Sequence, residues 1–207
     1  MLSTLRRQTG TGLRLLLLFT VLCGIVHPLV VWGVSRLPGL SGHAEGSLVT
    51  RDGTVVGSSL IGVDPVPADP AADPYFHTRP AASSEDVLGP ADTSTSGGSN
   101  KAGDSTDLLD TVSQRRALIA RREGVAPEAV PTDAVTASAS GLDPDISPAY
   151  AALQVDRVAR VAGLPVDRVR DLVAQATDGR ILGFLGEPTV NVTELNLAVA
   201  AAQRAGR

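Results

Sequence analysis

The longest uninterrupted apolar stretch of the chain lies near its N-terminus. Residues 15–34 read LLLLFTVLCGIVHPLVVWGV and contain no Asp, Glu, Lys or Arg. Twenty helical residues span roughly 30 Å, which matches the hydrocarbon thickness of a bilayer. A cleaved signal peptide has a shorter apolar region and a small-residue cleavage site, for which only Ala44 is available here. We therefore predict an uncleaved transmembrane helix over residues 13–35, preceded by a tail of residues 1–12.

Two residues within this stretch are unusual for a membrane helix. Pro28 lacks a backbone N–H, and His27 carries a polar ring. Polar groups in membrane helices commonly face a partner, and small residues such as Gly24 let another helix approach closely. We predict that Gly24, His27 and Pro28 contact another membrane helix. The alternative is that His27 and Pro28 lie near the end of the span and only shape a kink.

The distribution of charge around the apolar stretch predicts its orientation. Arg6, Arg7 and Arg14 precede the stretch, and no acidic residue does. Residues 37–207 carry 14 basic residues against 22 acidic ones. Because positively charged flanks stay on the cytoplasmic side, the N-terminus is predicted to be cytoplasmic. Residues 36–207 are then extracytoplasmic.

The pattern of apolar and polar positions changes twice after the membrane segment. Residues 45–62 contain two short apolar runs around Asp52-Gly53, which is a strong hairpin signal. Residues 64–104 are rich in Pro, Asp, Ser and Gly and predict a long loop that is either disordered or functional. Within this loop, Tyr75 and Phe76 provide contact area that a plain linker would not need.

Helical periodicity returns in the second half of the chain. It predicts helices over residues 105–122, 148–162 and 166–176, and a last helix capped by Thr193, while residues 188–193 alternate as a strand does. Ser147 is the predicted N-cap of the second helix, and Gly163 is its predicted stop. The order of a strand pair, a long loop, helices, a strand and a helix indicates an α+β domain anchored by one N-terminal transmembrane helix.

Composition excludes several kinds of site. The single cysteine, Cys23, rules out an intrachain disulfide, and one Cys with three His disfavours a structural zinc site. The sequence has no P-loop, dinucleotide-binding fingerprint, nucleophile elbow or basic run for nucleic acid. A membrane-anchored extracytoplasmic serine hydrolase remains the alternative class. It would need His77 as the base for Ser138 or Ser140, a pairing without a local signature.

Two segments of small residues carry the remaining candidate chemistry. Residues 96–100 read SGGSN, which predicts either an anion-binding nest or an ordinary Gly-Ser turn. Residues 135–148 read VTASASGLDPDISP and contain no base, metal-ligand set or lysine. We therefore predict a structural surface that packs against the SGGSN loop or against a partner. The candidate partner contacts outside the membrane are Tyr75, Phe76, Arg79, Ser138, Ser140, Gly141 and Asp143.

Several segments in a fixed order resemble a known family. They read GSSLIG, YFHTRP, SGGSN, VTASASGLDPDIS, QVDRVA and VNVTELN, at residues 57–62, 75–80, 96–100, 135–147, 154–159 and 190–196. Following a single N-terminal span, they make the chain resemble the C subunit of the bacterial Kdp-type potassium-transporting ATPase.

The resemblance implies a non-catalytic subunit of a potassium uptake complex in the bacterial plasma membrane. Its implied partners are a channel-like potassium-translocating subunit, a P-type ATPase subunit and a small membrane peptide. The implied role is assembly, together with that of a catalytic chaperone that raises the affinity of the ATPase subunit for ATP. The resemblance implies ATP as a possible ligand of this subunit and no covalently bound cofactor. The family-proposed nucleotide loop corresponds to Ser96, Gly97, Gly98, Ser99 and Asn100.

The chain departs from the family pattern at two places. After LIG the family usually has Gln and an aromatic residue, where this chain has Val63 and Asp64. After SGGSN it usually has Leu-Gly, where this chain has Lys101 and Ala102. The predicted orientation also separates residues 96–100 from cytoplasmic ATP. An effect on ATP affinity would then have to cross the membrane as a coupling free energy between sites.

Overall fold

The computed structural model describes residues 2–206 and divides the chain into two compact units, one ending at Leu48 and one beginning at Val49. The first unit contains α1 (Leu2–Val21), a π-helical turn (Leu22–Val26), α2 (His27–Ser35) and a short α3 (Ser41–Ala44). Residues Leu2–Ser35 form one continuous helix that is long and apolar enough to cross a membrane. No residue of α1 or α2 is buried, which is the pattern expected of a helix that lipid would cover.

The apolar N-terminal helix loses its regular hydrogen-bond pattern just before Pro28. The backbone N–H of His27 donates to the carbonyl oxygen of Leu22, which is a spacing of five residues instead of four. Such π-helical turns widen a helix locally and are frequent at functional sites. The irregular turn therefore contains Gly24 and is followed directly by His27 and Pro28, the three positions for which a partner contact is predicted.

The second unit is an α+β domain, as the sequence predicted. Its strands are β1 (Leu48–Arg51), β2 (Thr54–Ser58), β3 (Asp145–Ile146), β4 (Thr177–Asp178) and β5 (Thr189–Asn191). Its helices are α4 (Thr106–Glu123), α5 (Thr132–Val135), α6 (Pro148–Ala162), α7 (Val166–Gln175) and α8 (Val192–Ala205), with 3₁₀ turns at Pro70–Ala72 and Pro127–Ala129. β1 pairs with β2, and β5 lies between β3 and β4 in an antiparallel sheet.

An aliphatic core forms where α6 meets α7, α8 and β5. The buried face of α6 carries Ala151, Val155 and Val158 at helical spacing, so one stripe of the helix faces inward. The other buried apolar residues are Phe76, Ala81, Ile119, Ala120, Val130, Ala134, Val135, Ile146, Tyr150, Ala159, Val169, Leu172, Val173, Val190, Val192, Leu195 and Val199. Only two of them are aromatic, which agrees with the 3% aromatic content of the sequence.

The ends of α6 match the predicted caps, whereas the start of α8 does not. The Ser147 hydroxyl accepts a hydrogen bond from the Tyr150 N–H at 3.0 Å, and Gly163 ends α6 with a φ of 67°. The predicted cap of α8 at Thr193 is wrong, because the side chain of Asn191 accepts from the Glu194 N–H at 3.1 Å. β5 runs directly into α8, so the helix begins before the residue that resembled a cap.

The predicted hairpin and long loop both have well-defined backbones. Asp52 and Gly53 have φ angles of 50° and 77°, the positive values that a tight hairpin turn requires. Residues 64–104 contain no α-helix or strand among the described residues, but they are not a detached linker. Phe76 is fully buried, and His77 and Thr78 beside it are buried too. The middle of this loop is therefore part of the domain core.

Candidate interaction site

The two segments of small residues pack against each other. The backbone N–H of Gly97 donates to the carbonyl oxygen of Ser140 at 2.8 Å. The Ser96 hydroxyl donates to the same oxygen at 3.2 Å. Residues 135–148 are predicted to pack against the SGGSN loop or against a partner, and in the structure they pack against the SGGSN loop.

Two glycines allow this close approach. A Cβ atom on Gly98 would lie 3.1 Å from the carbonyl oxygen of Ala139. Gly141 has a φ of 73°, and a Cβ there would lie 3.3 Å from the carbonyl oxygen of Gly97. The two backbones therefore meet directly, and side chains at Gly98 and Gly141 would push them apart.

The serine hydroxyls of residues 138 and 140 stabilise the turn. Ser138 is buried, and its Oγ accepts the N–H of Gly141 at 2.8 Å, while its own N–H donates to the Pro80 carbonyl at 2.9 Å. The Ser140 Oγ accepts the N–H of Leu142 at 3.1 Å. Both oxygens thus fix local backbone, which is a common role of Ser in turns.

Two further segments close the arrangement. Arg79 lies against the 135–148 segment, with Nη1 3.3 Å from the Asp143 carboxylate and Nη2 donating to the Ala137 carbonyl at 3.3 Å. The Gly62 N–H donates to the Leu142 carbonyl at 2.8 Å. We call the four segments, residues 59–64, 75–81, 96–100 and 136–147, the loop junction.

Gly62 is the most tightly enclosed glycine of the loop junction, and it gives a stability prediction. A Cβ there would lie 2.6 Å from the Asp143 carbonyl oxygen and 2.7 Å from the Pro144 Cα, so backbone would have to move. We expect Gly62→Ala to lower the free energy of unfolding of the full chain in detergent by about 1–3 kcal/mol. Urea unfolding followed by circular dichroism measures this loss.

A matched control for this prediction is Gly97→Ala. No atom of a described residue outside its immediate neighbours lies within 4 Å of a Cβ at Gly97, and its N–H remains able to bond Ser140. Equal losses in the two variants would contradict the steric argument.

Behind the loop junction, His77 lies between two carboxylates. Its Nδ1 is 3.0 Å and 3.1 Å from the two oxygens of Asp64, and its Nε2 is 2.6 Å from the Asp73 carboxylate. Carboxylates only accept, so both contacts are hydrogen bonds only when the ring carries both protons. Burial opposes that charge, but the hydrogen bonds to Asp64 and Asp73 outweigh it and raise the pKa of His77.

The pKa of Asp73, one of the two carboxylate partners of His77, shifts in the opposite direction. Burial raises the pKa of Asp73, whereas its hydrogen bond and charge interaction with His77 and the nearby Arg157 lower it, and the net pKa is lowered. The ionised form of Asp73 and the charged form of His77 therefore stabilise each other.

The charges continue from Asp73 through the interior to the end of α4. Arg157 on α6 has Nη1 3.1 Å from the Asp73 carboxylate and Nε 2.9 Å from that of Glu123. Arg122 pairs with Glu123 at 2.7 Å and donates to the Tyr150 hydroxyl at 3.1 Å. We call Asp64, His77, Asp73, Arg157, Glu123 and Arg122 the ion-pair chain.

The ion-pair chain is electrically balanced only with a charged histidine. It contains three carboxylates, two guanidinium groups and His77. The Glu123 side chain is fully buried, and the side chains of Asp73 and Arg157 are only 3% and 4% exposed. Buried charges are tolerated when they are paired and hydrogen-bonded. The ion-pair chain therefore fastens residues 64–77 to α4 and α6.

Sequence reasoning did not predict the ion-pair chain. In the sequence, Asp64 is distinguished only as a departure from the family pattern, and His77 only as the base that the serine-hydrolase alternative needs. The structure does not pair His77 with Ser138 or Ser140, because its ring nitrogens face Asp64 and Asp73. One signal was present in the sequence, since polar Gln154 and Arg157 occupy the otherwise apolar face of α6.

The structure places the predicted contact residues differently from one another. Phe76 is fully buried and Ser138 is 2% exposed, so both support the surface from inside. Tyr75 is 37% exposed, and the Arg79 and Asp143 side chains are 25% and 32% exposed. Together with the exposed Ser140, these three residues are the predicted contacts of the domain that offer side-chain surface to another protein.

A cavity of about 390 Å³ borders the SGGSN loop, between residues 81–87 and α4. Its two cationic residues are already engaged. Arg115 donates to the carbonyls of Val87, Val135 and Ala81 at 3.0–3.4 Å, and Lys101 lies 3.6 Å from Asp107. Exposed Glu85 and Asp86 also line it. This lining therefore offers a polyanionic phosphate a lysine that lies near a carboxylate and an arginine whose three nitrogens already donate to carbonyls.

Comparison with known proteins places these features in one family. Residues 9–201 match the family described as KdpC, K+-transporting ATPase, c chain. A protein of Kineococcus radiotolerans is 49% identical over 97% of both chains. One of Streptomyces coelicolor is 46% identical over 96% of this chain and 94% of its own. One of Bradyrhizobium diazoefficiens is 41% identical over 93% and 96%. All three are named potassium-transporting ATPase KdpC subunit. With one apolar N-terminal helix, an α+β domain and a match over nearly its whole length, the chain belongs to the KdpC family.

Proposed function

We propose that the protein is a non-catalytic subunit of an ATP-driven, high-affinity potassium uptake complex in the bacterial plasma membrane. The observation that carries the proposal is the family match over residues 9–201. The protein assembles and stabilises a channel-like potassium-translocating subunit, a P-type ATPase subunit and a small membrane peptide. It has no cofactor of its own in this role.

In this proposal the apolar helix is the single membrane span, with its N-terminus in the cytoplasm. Support comes from the basic residues before it and the excess of acidic residues after it. The π-helical turn supports a helix contact at Gly24, His27 and Pro28, because a widened turn exposes backbone and leaves room for a neighbouring helix.

Outside the membrane, the loop junction presents a fixed surface to the partner subunits. Tyr75, Arg79 and Asp143 lie on its exposed side, and Ser140 and Gly141 form its turn. Rigid surfaces bind with less loss of conformational entropy, so the hydrogen bonds between the loops favour assembly. Arg79 combines both roles, because it holds Asp143 and remains partly exposed.

The protein raises the ATP affinity of the ATPase subunit indirectly in this proposal. The cavity beside the SGGSN loop supports an indirect effect, because Lys101 lies near Asp107 and the nitrogens of Arg115 already donate to carbonyls. An anion with the charge of ATP would have to compete with these contacts and would also meet Glu85 and Asp86. A coupling free energy of 1–3 kcal/mol, about 5–150-fold in affinity, is typical between linked sites.

Co-purification tests the proposed function. Cells that produce the tagged chain together with the genes of the transporter are extracted in mild detergent. We expect the P-type ATPase and channel-like subunits to be recovered with the chain, and the preparation to hydrolyse ATP in response to potassium. A control chain whose residues 13–35 are replaced by a polyleucine span still inserts but should recover less of both subunits. Recovery of the native chain without either subunit would contradict the proposal.

Orientation has its own test. We expect a Thr93→Cys variant, in a Cys23→Ala background, to react with an impermeant thiol reagent on intact cells, because Thr93 is exposed in the domain placed outside. A Thr4→Cys variant in the same background is the matched control and should react only after lysis. Labelling of both positions only after lysis would reverse the orientation and bring residues 96–100 to the side of cytoplasmic ATP.

A further inference from the structure

The connection between β4 and β5 carries four exposed apolar side chains near its middle. Ile181, Leu182, Phe184 and Leu185 are 70%, 81%, 68% and 50% exposed. No described residue of the chain covers them. We call these four residues the apolar tip. Single exposed apolar residues are ordinary on protein surfaces, but four in a five-residue turn form a patch that marks an interaction site.

The apolar tip is a formed structure and not a loose loop. Ile181 and Leu185 exchange backbone hydrogen bonds at 2.9 Å and 3.0 Å, so they pair as strand residues do. The Phe184 N–H donates to the Ile181 carbonyl at 3.3 Å and closes the turn. The four side chains are therefore presented on a defined backbone.

The backbone of this turn holds Leu182 at a positive φ angle, which is unfavourable for leucine. Leu182 and Gly183 have φ angles of 54° and 82°. The same pair of positive angles occurs at Asp52 and Gly53, where the first residue is one of the types that favour this turn. A bulky aliphatic residue at positive φ is strained. Turn geometry therefore favours Asn or Asp at position 182, and the leucine needs another explanation.

We propose that the apolar tip docks into an apolar cleft on another subunit of the transporter, with Leu182 and Phe184 as the anchors. This inference rests on the proposed function, which gives the protein partner subunits. Large apolar side chains that fill a partner's pocket are the usual source of binding energy at protein interfaces. The strain at Leu182 is then compensated in the complex, where its side chain becomes buried.

Charge favours a protein cleft over a lipid surface. Docking to an anionic bilayer is strengthened by free cations beside the apolar residues. The cation next to the tip, Arg180, is paired with Glu187 at 2.6 Å. Residues 37–207 also carry more acidic than basic residues, which an anionic membrane repels. A neutral apolar tip on an acidic domain fits an apolar protein pocket.

The decisive variant is Leu182→Asn. Asparagine suits the positive φ, so the thermal midpoint of the full chain in detergent should be equal to or above that of the native chain. Loss of the anchor should nevertheless weaken retention of the chain by the other transporter subunits at least about tenfold, as for a truncated interface anchor. Leu109→Gln is the matched control, because Leu109 is 57% exposed on α4 and should leave retention unchanged.

Photocrosslinking identifies what covers the tip. A photoreactive phenylalanine analogue at position 184 of the full chain, in the assembled complex, should form an adduct with another transporter subunit. An adduct only with lipid, or only with a second copy of this chain, would overturn the inference, as would full retention by Leu182→Asn. Each of these three outcomes leaves the proposed function intact if the native chain still recovers its partners. If the native chain recovers none, the proposed function and this inference fail together.

Discussion

Arg157→Leu is expected to cost the domain about 3–5 kcal/mol of unfolding free energy, because it removes the central cation of a buried network. Arg157 contacts the carboxylates of Asp73 and Glu123 and donates to the backbone carbonyls of Asp73 and Tyr75 at 2.9 Å. Leucine fills part of the same volume but satisfies none of these acceptors. The carboxylates then stay buried with fewer partners, which is the costly half of breaking an ion pair.

The measurement is urea unfolding of the full chain in detergent, with Arg160→Leu as the control. Arg160 lies on the same helix, one turn further on, and is exposed. Both variants remove one positive charge and add the same side chain, so their difference isolates the buried network. Exposed positions usually change stability by less than about 0.5 kcal/mol. Losses of equal size in the two variants would show that the ion-pair chain does not hold the domain together.

The regular elements of this fold could be predicted because their signals are local. The cap at Ser147, the stop at Gly163 and the turn at Asp52-Gly53 each depend on neighbouring residues. The start of α8 was missed for the same reason. Asn191 ends β5 and caps α8 at once, and the pairing of β5 with β3 and β4 decides where the strand stops.

The loop junction was predictable only in part. Small residues and glycines indicate close packing, and the structure shows the SGGSN loop against residues 135–148. The enclosure of Gly62 by Asp143 and Pro144 has no local signature, since about eighty residues separate them. Contacts between distant loops depend on the completed fold, so composition can indicate a packed surface without naming its partner.

The ion-pair chain lies beyond what periodicity can show. Its members come from residues 64–77, the end of α4 and the middle of α6. Each is an ordinary charged residue in its own sequence neighbourhood. Only burial distinguishes them, and burial is decided by the packing of α4, α6 and the long loop together.

The pH dependence of stability is expected to report the charge on His77. The folded pKa of His77 is raised above the usual 6.5, so its contribution is fully present below about pH 6.5 and is lost as pH rises through the folded pKa. The pKa of Asp73 is lowered from 3.8, so its contribution is fully present above about pH 3.8 and is lost as pH falls through its folded pKa. The contacts of His77 with Asp64 and Asp73 should therefore stabilise the domain most between about pH 3.8 and about pH 6.5.

Replacing His77 by Gln tests this expectation. Glutamine offers one amide in place of two ring N–H groups and carries no charge, so it leaves buried Asp73 and half-buried Asp64 with less compensation. At pH 6 we expect a loss of about 3 kcal/mol, as when a buried charge loses its partner. The measurement is urea unfolding of the full chain in detergent at several pH values. His43→Gln is the matched control, because His43 is exposed in α3.

The decisive result is the dependence on pH and not the loss alone, because any poorly packed substitution lowers stability. Above about pH 6.5 the native chain should lose stability as the pH rises through the raised folded pKa of His77, since an unprotonated ring nitrogen would then face a carboxylate that also only accepts. The His77→Gln chain has no proton to release there, so its stability should change less over the same range. Parallel pH profiles for the native and His77→Gln chains would mean that His77 is neutral in the folded protein. In that case the unprotonated ring nitrogen would face an ionised carboxylate that can only accept, and that contact would not be a hydrogen bond.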